Sequence, residues 1–332
     1  MGEKTQAADA AMMFARAANL WRRHGRVSAR EGGGASDVDE AYRHCEQIMR
    51  SQARNFSYGL RLLPAPKRRA LSAVYALARR IDDIADGDGP AGQRLERLDR
   101  VRELLDGTAP TAHDLVLVAL LEAADRYPIP LAAFADLVDG CAADVRGRTY
   151  LTFADLEGYC RCVAGSIGRL SLGVFGSDDV EAATPLADAL GVALQITNIL
   201  RDLREDRLAG RIYLPAQDLE RFGCTLDVDP SGRFRDPPER LAGLVRFEAD
   251  RARDWFTTGM RLLPMLDARS AACTATMAGI YRCLLDRITA DPRRALNARL
   301  SLTTREKSMV AVHALTQVRR VRERPADRTG SP

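Results

Sequence analysis

Two pairs of acidic side chains are the residues in this chain best suited to do chemistry. Asp82 and Asp86 are four positions apart, and so are Asp202 and Asp206. Carboxylates at this spacing share one face of a helix and repel each other unless a cation neutralises them. For the first pair alone, a charged helix end in front of a turn is the simpler interpretation, but its repetition in a second pair favours a common site.

Amides precede the second acidic pair within an otherwise apolar stretch. Gln195 and Asn198 stand upstream of Asp202 among alanine, leucine and isoleucine residues. Polar groups in such a setting cost free energy unless their hydrogen bonds are satisfied. This helix face is therefore predicted to line a polar site, and the two acidic pairs are predicted to face each other across a helical bundle.

A ligand set made of carboxylate and amide oxygens suits Mg²⁺, which proteins usually share with substrate phosphates. In an enzyme that ionises a diphosphate, the metal neutralises the leaving group. Arg79 precedes Asp82 by three residues and Arg201 adjoins Asp202, so both arginines are candidates for binding a diphosphate. Each arginine taken alone is equally consistent with an ordinary surface ion pair.

Helices are predicted to position all of these residues. Alanine, leucine and arginine dominate the chain while β-branched and aromatic residues are sparse, which favours helix. The periodicity of apolar residues predicts helices over 39–54, 67–86, 91–107, 113–126, 130–145, 153–175, 179–207, 237–264, 267–290 and 302–322. Loops are predicted at 213–215 and 227–238, and the sequence contains neither a useful strand pattern nor a repeat.

The helices are predicted to form one all-α domain over residues 38–316. Residues 1–37, which end in a Gly-rich linker-like stretch, are predicted to be a flexible extension. The Arg-rich residues 317–332 are predicted to be a flexible tail.

Composition narrows the classes of function. The net charge is +4 on a chain that is 28% charged, without the basic face and aromatic partners that nucleic-acid binding requires. This mild excess suits an anionic small substrate or a transient contact with an anionic membrane surface.

The seven scattered cysteines indicate reduced thiols. With no signal pattern and no apolar run near the ~18 residues of a membrane span, a cytoplasmic protein, at most peripheral to the membrane, is expected.

Three ordered motifs resemble the signatures of the squalene and phytoene synthase family. The first starts at Phe56-Ser-Tyr-Gly and ends in Arg79-Arg-Ile-Asp82-Asp83-Ile-Ala-Asp86. The second is Tyr159-Cys-Arg-Cys-Val-Ala-Gly165-Ser-Ile-Gly168. The third runs from Gln195 through Asp206 into Gly210-Arg211-Ile-Tyr213-Leu-Pro215. The resemblance covers residues 40–300, and the two glycines of the second motif are predicted to permit a close approach of helix backbone.

The resemblance implies an all-α, isoprenoid-synthase-type helical bundle around a central substrate tunnel. It implies two or three Mg²⁺ ions, shared with the diphosphate and held by Asp82, Asp86, Asn198, Asp202 and Asp206. The four acids and Tyr159, near the reactive centre, are the implied catalytic residues. The implied substrate-binding residues are Phe56, Tyr75, Arg79, Gln195, Asn198, Arg201, Arg211, Tyr213, Tyr281 and Arg299.

The choice of product rests on finer likeness. Arg61-Leu-Leu-Pro64 and the stretch from Ala164 to Gly176 resemble bacterial presqualene diphosphate synthases of hopanoid biosynthesis. This favours head-to-head condensation of two farnesyl diphosphates to presqualene diphosphate, with release of diphosphate. Phytoene synthase, acting on two geranylgeranyl diphosphates, is the main alternative, followed by squalene synthase and by a non-catalytic helical scaffold protein.

Other features bear on the neighbouring enzyme classes. NADPH is not expected because the sequence has no GxGxxG fingerprint. Head-to-tail prenyl synthases fit less well because a second DDxxD is absent, and terpene cyclases use a different acid and amide spacing. The oligomeric state stays open.

Overall fold

Helices form nearly all of the regular structure. The computed structural model describes residues 34–53, 56–107 and 114–323. In chain order the helices are α1 (Gly34–Gln52), α2 (Phe56–Leu60), α3 (Ala65–Asp86), α4 (Ala91–Leu105), α5 (Leu115–Arg126), α6 (Ala133–Val145), α7 (Phe153–Cys160), α8 (Ser166–Phe175), α9 (Val180–Arg201), α10 (Leu203–Leu208), α11 (Ala216–Phe222), α12 (Pro238–Gly259), α13 (Ala268–Ala290), α14 (Pro292–Asn297) and α15 (Thr304–Glu323). Across these residues the sole β pairing is an isolated bridge between Val228 and Phe234, so the all-α prediction is confirmed.

Two predicted helices differ in detail from the observed ones. The helix predicted over 153–175 is continuous but contains a π-helical turn, Arg161–Gly165, between α7 and α8. The helix predicted over 179–207 was wrong as a single element, because the backbone leaves the helical conformation at Asp202 (φ −103°, ψ 13°). The second acidic pair therefore spans the junction of α9 and α10. Helices α2, α11 and α14, of five to seven residues, are too short to show an apolar period.

The ends of the chain are described only in part. Helix α1 begins at Gly34, inside the Gly-rich stretch that closes the predicted extension 1–37, and residues 1–33 lie outside the described residues. Helix α15 continues to Glu323, past the predicted domain end at 316, and residues 324–332 of the predicted tail lie outside the described residues.

Two large apolar clusters form the core. The first joins α1, α3, α5 and α6 through fully buried side chains such as Leu77, Ile81 and Phe134. The second joins α7, α9, α12 and α13 through Leu156, Ile196 and Ile280. Helix α9 is long and apolar enough to span a membrane by composition, yet 67% of its apolar window is buried inside the protein. A core helix of a folded domain has this character.

Two glycines allow α9 to approach α8 and the π-helical turn that precedes it. A Cβ at Gly191 would lie 2.5 Å from the carbonyl oxygen of Ala164, and one at Gly168 would lie 2.5 Å from that of Ala187. Neither contact can be relieved by a side-chain rotation, because each involves backbone atoms. The predicted close approach of the helix backbone at the second motif is thereby confirmed for Gly168.

We expect Gly191→Ala to lower the free energy of unfolding by about 1–3 kcal/mol, because overpacking forces the two helices apart. The matched control is Gly92→Ala in α4, where an added Cβ meets nothing within 4 Å and alanine favours helix. Thermal unfolding of both variants measures the difference. A Gly191→Ala variant as stable as the Gly92→Ala variant would contradict the close-approach argument.

Candidate active site

A cavity of about 350 Å³ lies among residues of both apolar clusters. Two long helices each present one continuous face to it, since their lining residues recur at helical spacing. Helix α3 contributes Leu71, Val74, Tyr75, Ala78, Arg79 and Asp82. Helix α9 contributes Ala187, Leu190, Gly191, Leu194, Gln195 and Asn198. Helices α8 and α13 line the remaining sides.

The charged residues of the cavity lie at one end, and the rest of its length is mainly apolar. Its acid and amide side chains, such as Asp82 and Asn198, lie near the C-terminal ends of α3 and α9. Eleven residues along each helix, a rise of about 16 Å, lead from them to Leu71 and Ala187. The cavity is thus a mainly apolar tunnel with a charged mouth, and the central tunnel is the one that the family resemblance implies.

Asp82 carries one of the perturbed carboxyl groups of the mouth. Its side chain is 53% exposed because it faces the open cavity, while protein surrounds it on the other sides. Burial, followed by the neighbouring Asp86 carboxylate, raises the pKa of Asp82 to about 6. Asp86 forms an ion pair of 2.7 Å with Arg211, which follows the second acidic motif. This contact joins the two motifs across the bundle and confirms that they face each other.

Asp206, the second member of the other acidic pair, is perturbed in the same way as Asp82. Burial, followed by the Asp202 carboxylate, raises the pKa of Asp206 to about 7. Asp202 itself is neutralised by two arginines: its Oδ1 accepts from Arg201 Nε at 2.8 Å and lies 2.8 Å from Arg299 Nε. Although α9 breaks at Asp202, the Asp206 amide still donates to the Asp202 carbonyl at 2.8 Å, which holds the two acids one turn apart.

The amides predicted for this face do line the mouth. Asn198 Nδ2 donates to Gln195 Oε1 at 3.3 Å, while Asn198 Oδ1 is buried without a partner among the described residues. An unsatisfied buried oxygen is costly unless a ligand completes it.

The donor set at the mouth fits a hard divalent cation. Carboxylates with raised pKa values and an unpartnered amide oxygen all gain from such an ion. Over the described part of the chain, no three acid, histidine or cysteine side chains are close enough to hold a metal by themselves. This arrangement is consistent with an ion that takes its remaining ligands from water and substrate phosphate, as Mg²⁺ usually does.

The other predicted site residues fall into two groups. Phe56, Tyr75, Arg79 and Tyr281 line the cavity, and the Phe56 and Tyr75 ring centroids are 6.1 Å apart. Arg79 pairs with Asp83 at 2.5 Å, while Arg201, Arg211 and Arg299 pair with the acids at the mouth. Tyr159 and Tyr213 lie just behind the cavity wall.

Asp144, a residue without a sequence signal, brings these two tyrosines together. Its carboxylate accepts hydrogen bonds from the hydroxyls of Tyr159 and Tyr213, each at 2.9 Å. The Tyr150 ring packs against both: it is tilted by 41° to the Tyr159 ring at a centroid distance of 5.3 Å and stacked on the Tyr213 ring at 6.5 Å. As a lone acid near the end of α6, Asp144 could be found only through these tertiary contacts.

We expect Asp206→Asn to raise the melting temperature of the cation-free protein at pH 8 by about 2–4 °C, allowing for partial exposure. Folding raises the pKa of Asp206 from 3.8 to about 7, so the folded state binds more protons between these values. Its contribution to stability therefore falls as pH rises through this window, whereas asparagine stays uncharged.

Thermal melts at pH 4 and pH 8 test this expectation, since the gain should shrink towards zero at pH 4. The control is Asp250→Asn, which removes an exposed carboxylate in an ion pair with Arg253 and should show no such pH dependence. An Asp206→Asn variant that melts below the wild type at pH 8 would overturn the repulsion argument.

Known proteins that are similar to this chain have names that agree with the geometry of the site. A family model described as squalene/phytoene synthase matches residues 49–306. The phytoene synthase of Mycobacterium tuberculosis is 50% identical over 280 residues, covering 84% of this chain and 92% of the relative. The 15-cis-phytoene synthase of Synechocystis sp. is 37% identical over 286 residues, covering 82% of this chain and 83% of the relative.

Solved structures share the fold. A dehydrosqualene synthase in complex with a ligand superposes with a TM-score of 0.72 at 27% identity, covering 87% of this chain and 98% of the other. Squalene synthase HpnC from Alicyclobacillus acidocaldarius superposes with a TM-score of 0.67 at 32% identity, covering 78% and 96%. Because the family match, the sequence identities and the fold agree with two acidic motifs at the mouth of an apolar tunnel, this chain belongs to the squalene/phytoene synthase family.

Proposed function

We propose that the protein condenses two geranylgeranyl diphosphates head to head into phytoene, with Mg²⁺ as its cation. The two acidic motifs that meet at the mouth of an apolar tunnel are the observation that carries the reaction type. The 50% identity to a phytoene synthase supports the C20 substrate over the farnesyl diphosphate favoured by the motif likeness alone.

Condensation of two farnesyl diphosphates to presqualene diphosphate is the second candidate. It is supported by the motif likeness to bacterial presqualene diphosphate synthases and by the 32% identity to the structural neighbour HpnC, a squalene synthase. The two candidates share the first half of the chemistry and differ in chain length and in the fate of the cyclopropane intermediate.

The residues at the mouth are suited to hold and release diphosphate. Asp82, Asp86, Asn198, Asp202 and Asp206 would hold the cations, which neutralise the charge of the departing diphosphate when bound. Arg79, Arg201, Arg211 and Arg299 are already gathered there as partners of the acids and would donate hydrogen bonds to diphosphate oxygens.

The tunnel is suited to a reactive cation. The C1–O bond of one substrate breaks, and its C1 bonds to the double bond of the second substrate; loss of a proton then closes a cyclopropane. Departure of the second diphosphate and loss of another proton complete phytoene, so no reductant is required. The rings of Phe56, Tyr75 and Tyr281 can stabilise positive charge through their faces, and apolar walls keep water away from it.

Contacts of Lys67 connect three helix ends at the deep end of the tunnel. Phe175 and Leu172, at the end of α8, close it together with Leu262. The Phe175 carbonyl accepts a hydrogen bond of 2.6 Å from Lys67 Nζ, which also pairs with Asp267 at 2.8 Å. Lys67 thereby ties the ends of α3, α8 and α13 around the position where a prenyl chain would terminate.

We expect Asp82→Asn and Asp202→Asn each to lower kcat by at least about 100-fold, because each removes a carboxylate from the cation site. Diphosphate release and product are measured with Mg²⁺ and with C15 or C20 diphosphate, in the presence and absence of NADPH. Asp250→Asn, at an exposed ion pair, should match the wild type. Absence of diphosphate release by the wild type with both substrates would refute the proposed function.

A smaller side chain in place of Phe175 at the deep end should shift the substrate preference towards longer prenyl chains. We expect Phe175→Ala to raise the ratio of kcat/KM for a C25 diphosphate over the C20 diphosphate by about tenfold, because it opens apolar volume at the end of the chain. Phe222→Ala is the matched control, since Phe222 is also half-buried but packs on Phe247 away from the tunnel. An unchanged ratio in Phe175→Ala would place the end of the chain elsewhere.

A further inference from the structure

Asp144 holds two tyrosines in a single arrangement behind the mouth of the tunnel. Tyr159 donates to its Oδ2 and Tyr213 to its Oδ1, both at 2.9 Å. The two rings are stacked with their centroids 5.2 Å apart and their planes at 24°. Each oxygen of one carboxylate thus fixes one phenol, and the rings fix each other.

The protons of both phenols are directed at Asp144. Burial, followed by the Asp144 charge, raises the pKa of Tyr159 and of Tyr213 well above the ordinary value, so both phenols stay protonated and act as donors. A phenol that donates its only proton in one direction presents its oxygen lone pairs in others. Asp144 therefore fixes the direction of both O–H bonds, and with it the direction in which the oxygen lone pairs point.

Each of the three residues of this cluster lies close in sequence to a residue of the cavity wall or of the polar mouth. Tyr159 lies one turn before Val163, which lines the cavity. Tyr213 follows Arg211, the partner of Asp86. Asp144 lies one turn after Cys141, whose Sγ contacts Asp82 Oδ1 at 3.8 Å. The cluster is therefore at the polar mouth and far from the deep end near Phe175.

We propose that Asp144 is a positioning residue for the condensation and acts through Tyr159 and Tyr213. It holds the two phenol oxygens so that their partial negative charge faces the carbon cation and guides that cation to the second substrate instead of to water. This inference rests on the proposed function, because it requires a cation to be formed.

Two other roles make different demands on Asp144. A cation ligand would change the Mg²⁺ requirement, but both of its oxygens already accept a tyrosine hydroxyl. A purely structural role would change stability and leave the fate of the cation unaffected. A positioning role alone predicts that Asp144 and Tyr159 depend on each other in catalysis.

A double-mutant cycle with Asp144→Asn, Tyr159→Phe and the double variant tests the proposal. Asparagine keeps the size but has one acceptor oxygen, so one phenol loses its partner. We expect Asp144→Asn to lower kcat about 100-fold, with KM and the half-saturating Mg²⁺ concentration unchanged within about threefold. We also expect the ratio of prenyl alcohol to released diphosphate to rise, because water captures more of the cation and less condensed product forms.

The double variant should be no slower than the slower single variant, because both changes remove one linked interaction. Asp139→Asn, on the same helix and in an exposed ion pair with Arg102, is the control and should behave as the wild type in every measurement. Circular dichroism and melting temperature confirm that each variant is folded.

The outcomes separate this proposal from the proposed function. If the wild type condenses substrate but the two single effects multiply in the double variant, Asp144 does not act through Tyr159 and the proposal fails alone. A raised Mg²⁺ requirement in Asp144→Asn, or an unchanged alcohol fraction, also overturns it. If the wild type forms neither product nor alcohol from C15 and C20 diphosphates, both fail together.

Discussion

Repulsion among carboxylates at the mouth of an apolar tunnel is the interaction on which the rest of this structure depends. Together with burial, which is the larger cause, it raises the pKa of Asp82 and Asp206, and Arg201, Arg211 and Arg299 pair with the acids. Arginine binds phosphate as well as carboxylate. These arginines can therefore exchange their acid partners for a diphosphate. The mouth is therefore suited to bind cations and diphosphate together, with the acids holding the cations and the arginines holding the diphosphate.

The helix arrangement strengthens this constraint. Helix α3 ends at Asp86 and α9 ends at Arg201, next to Asp202, so both direct their C-terminal ends at the mouth. The C-terminal end of a helix carries partial negative charge. Acids placed there destabilise the cation-free protein and increase its affinity for cations, while the apolar faces that continue along both helices form the tunnel. Helices α3 and α9 thus supply both the acidic mouth and much of the apolar tunnel wall.

Much of this could be predicted from local pattern. Spacing by four residues identified the acidic pairs, and apolar periodicity gave the long helices to within a few residues. Gln195 and Asn198 stood out because amides are rare within apolar helices. The interruption at Asp202 had no such signal, since the residues around it continue the helical pattern. The short helices gave no signal because a few residues carry no period, and Asp144 gave none because a lone acid forms no local pattern.

The sequence by itself determined the helical class, the two acidic motifs and the family resemblance, because these depend on residue types at short fixed spacing. Tertiary structure decided which charges meet: Arg211 with Asp86, Arg299 with Asp202, and Asp144 with two tyrosines that follow it by 15 and 69 positions. Contacts over such separations depend on how helices pack, as at Gly168 and Gly191, and packing is a property of the whole core and not of any local pattern.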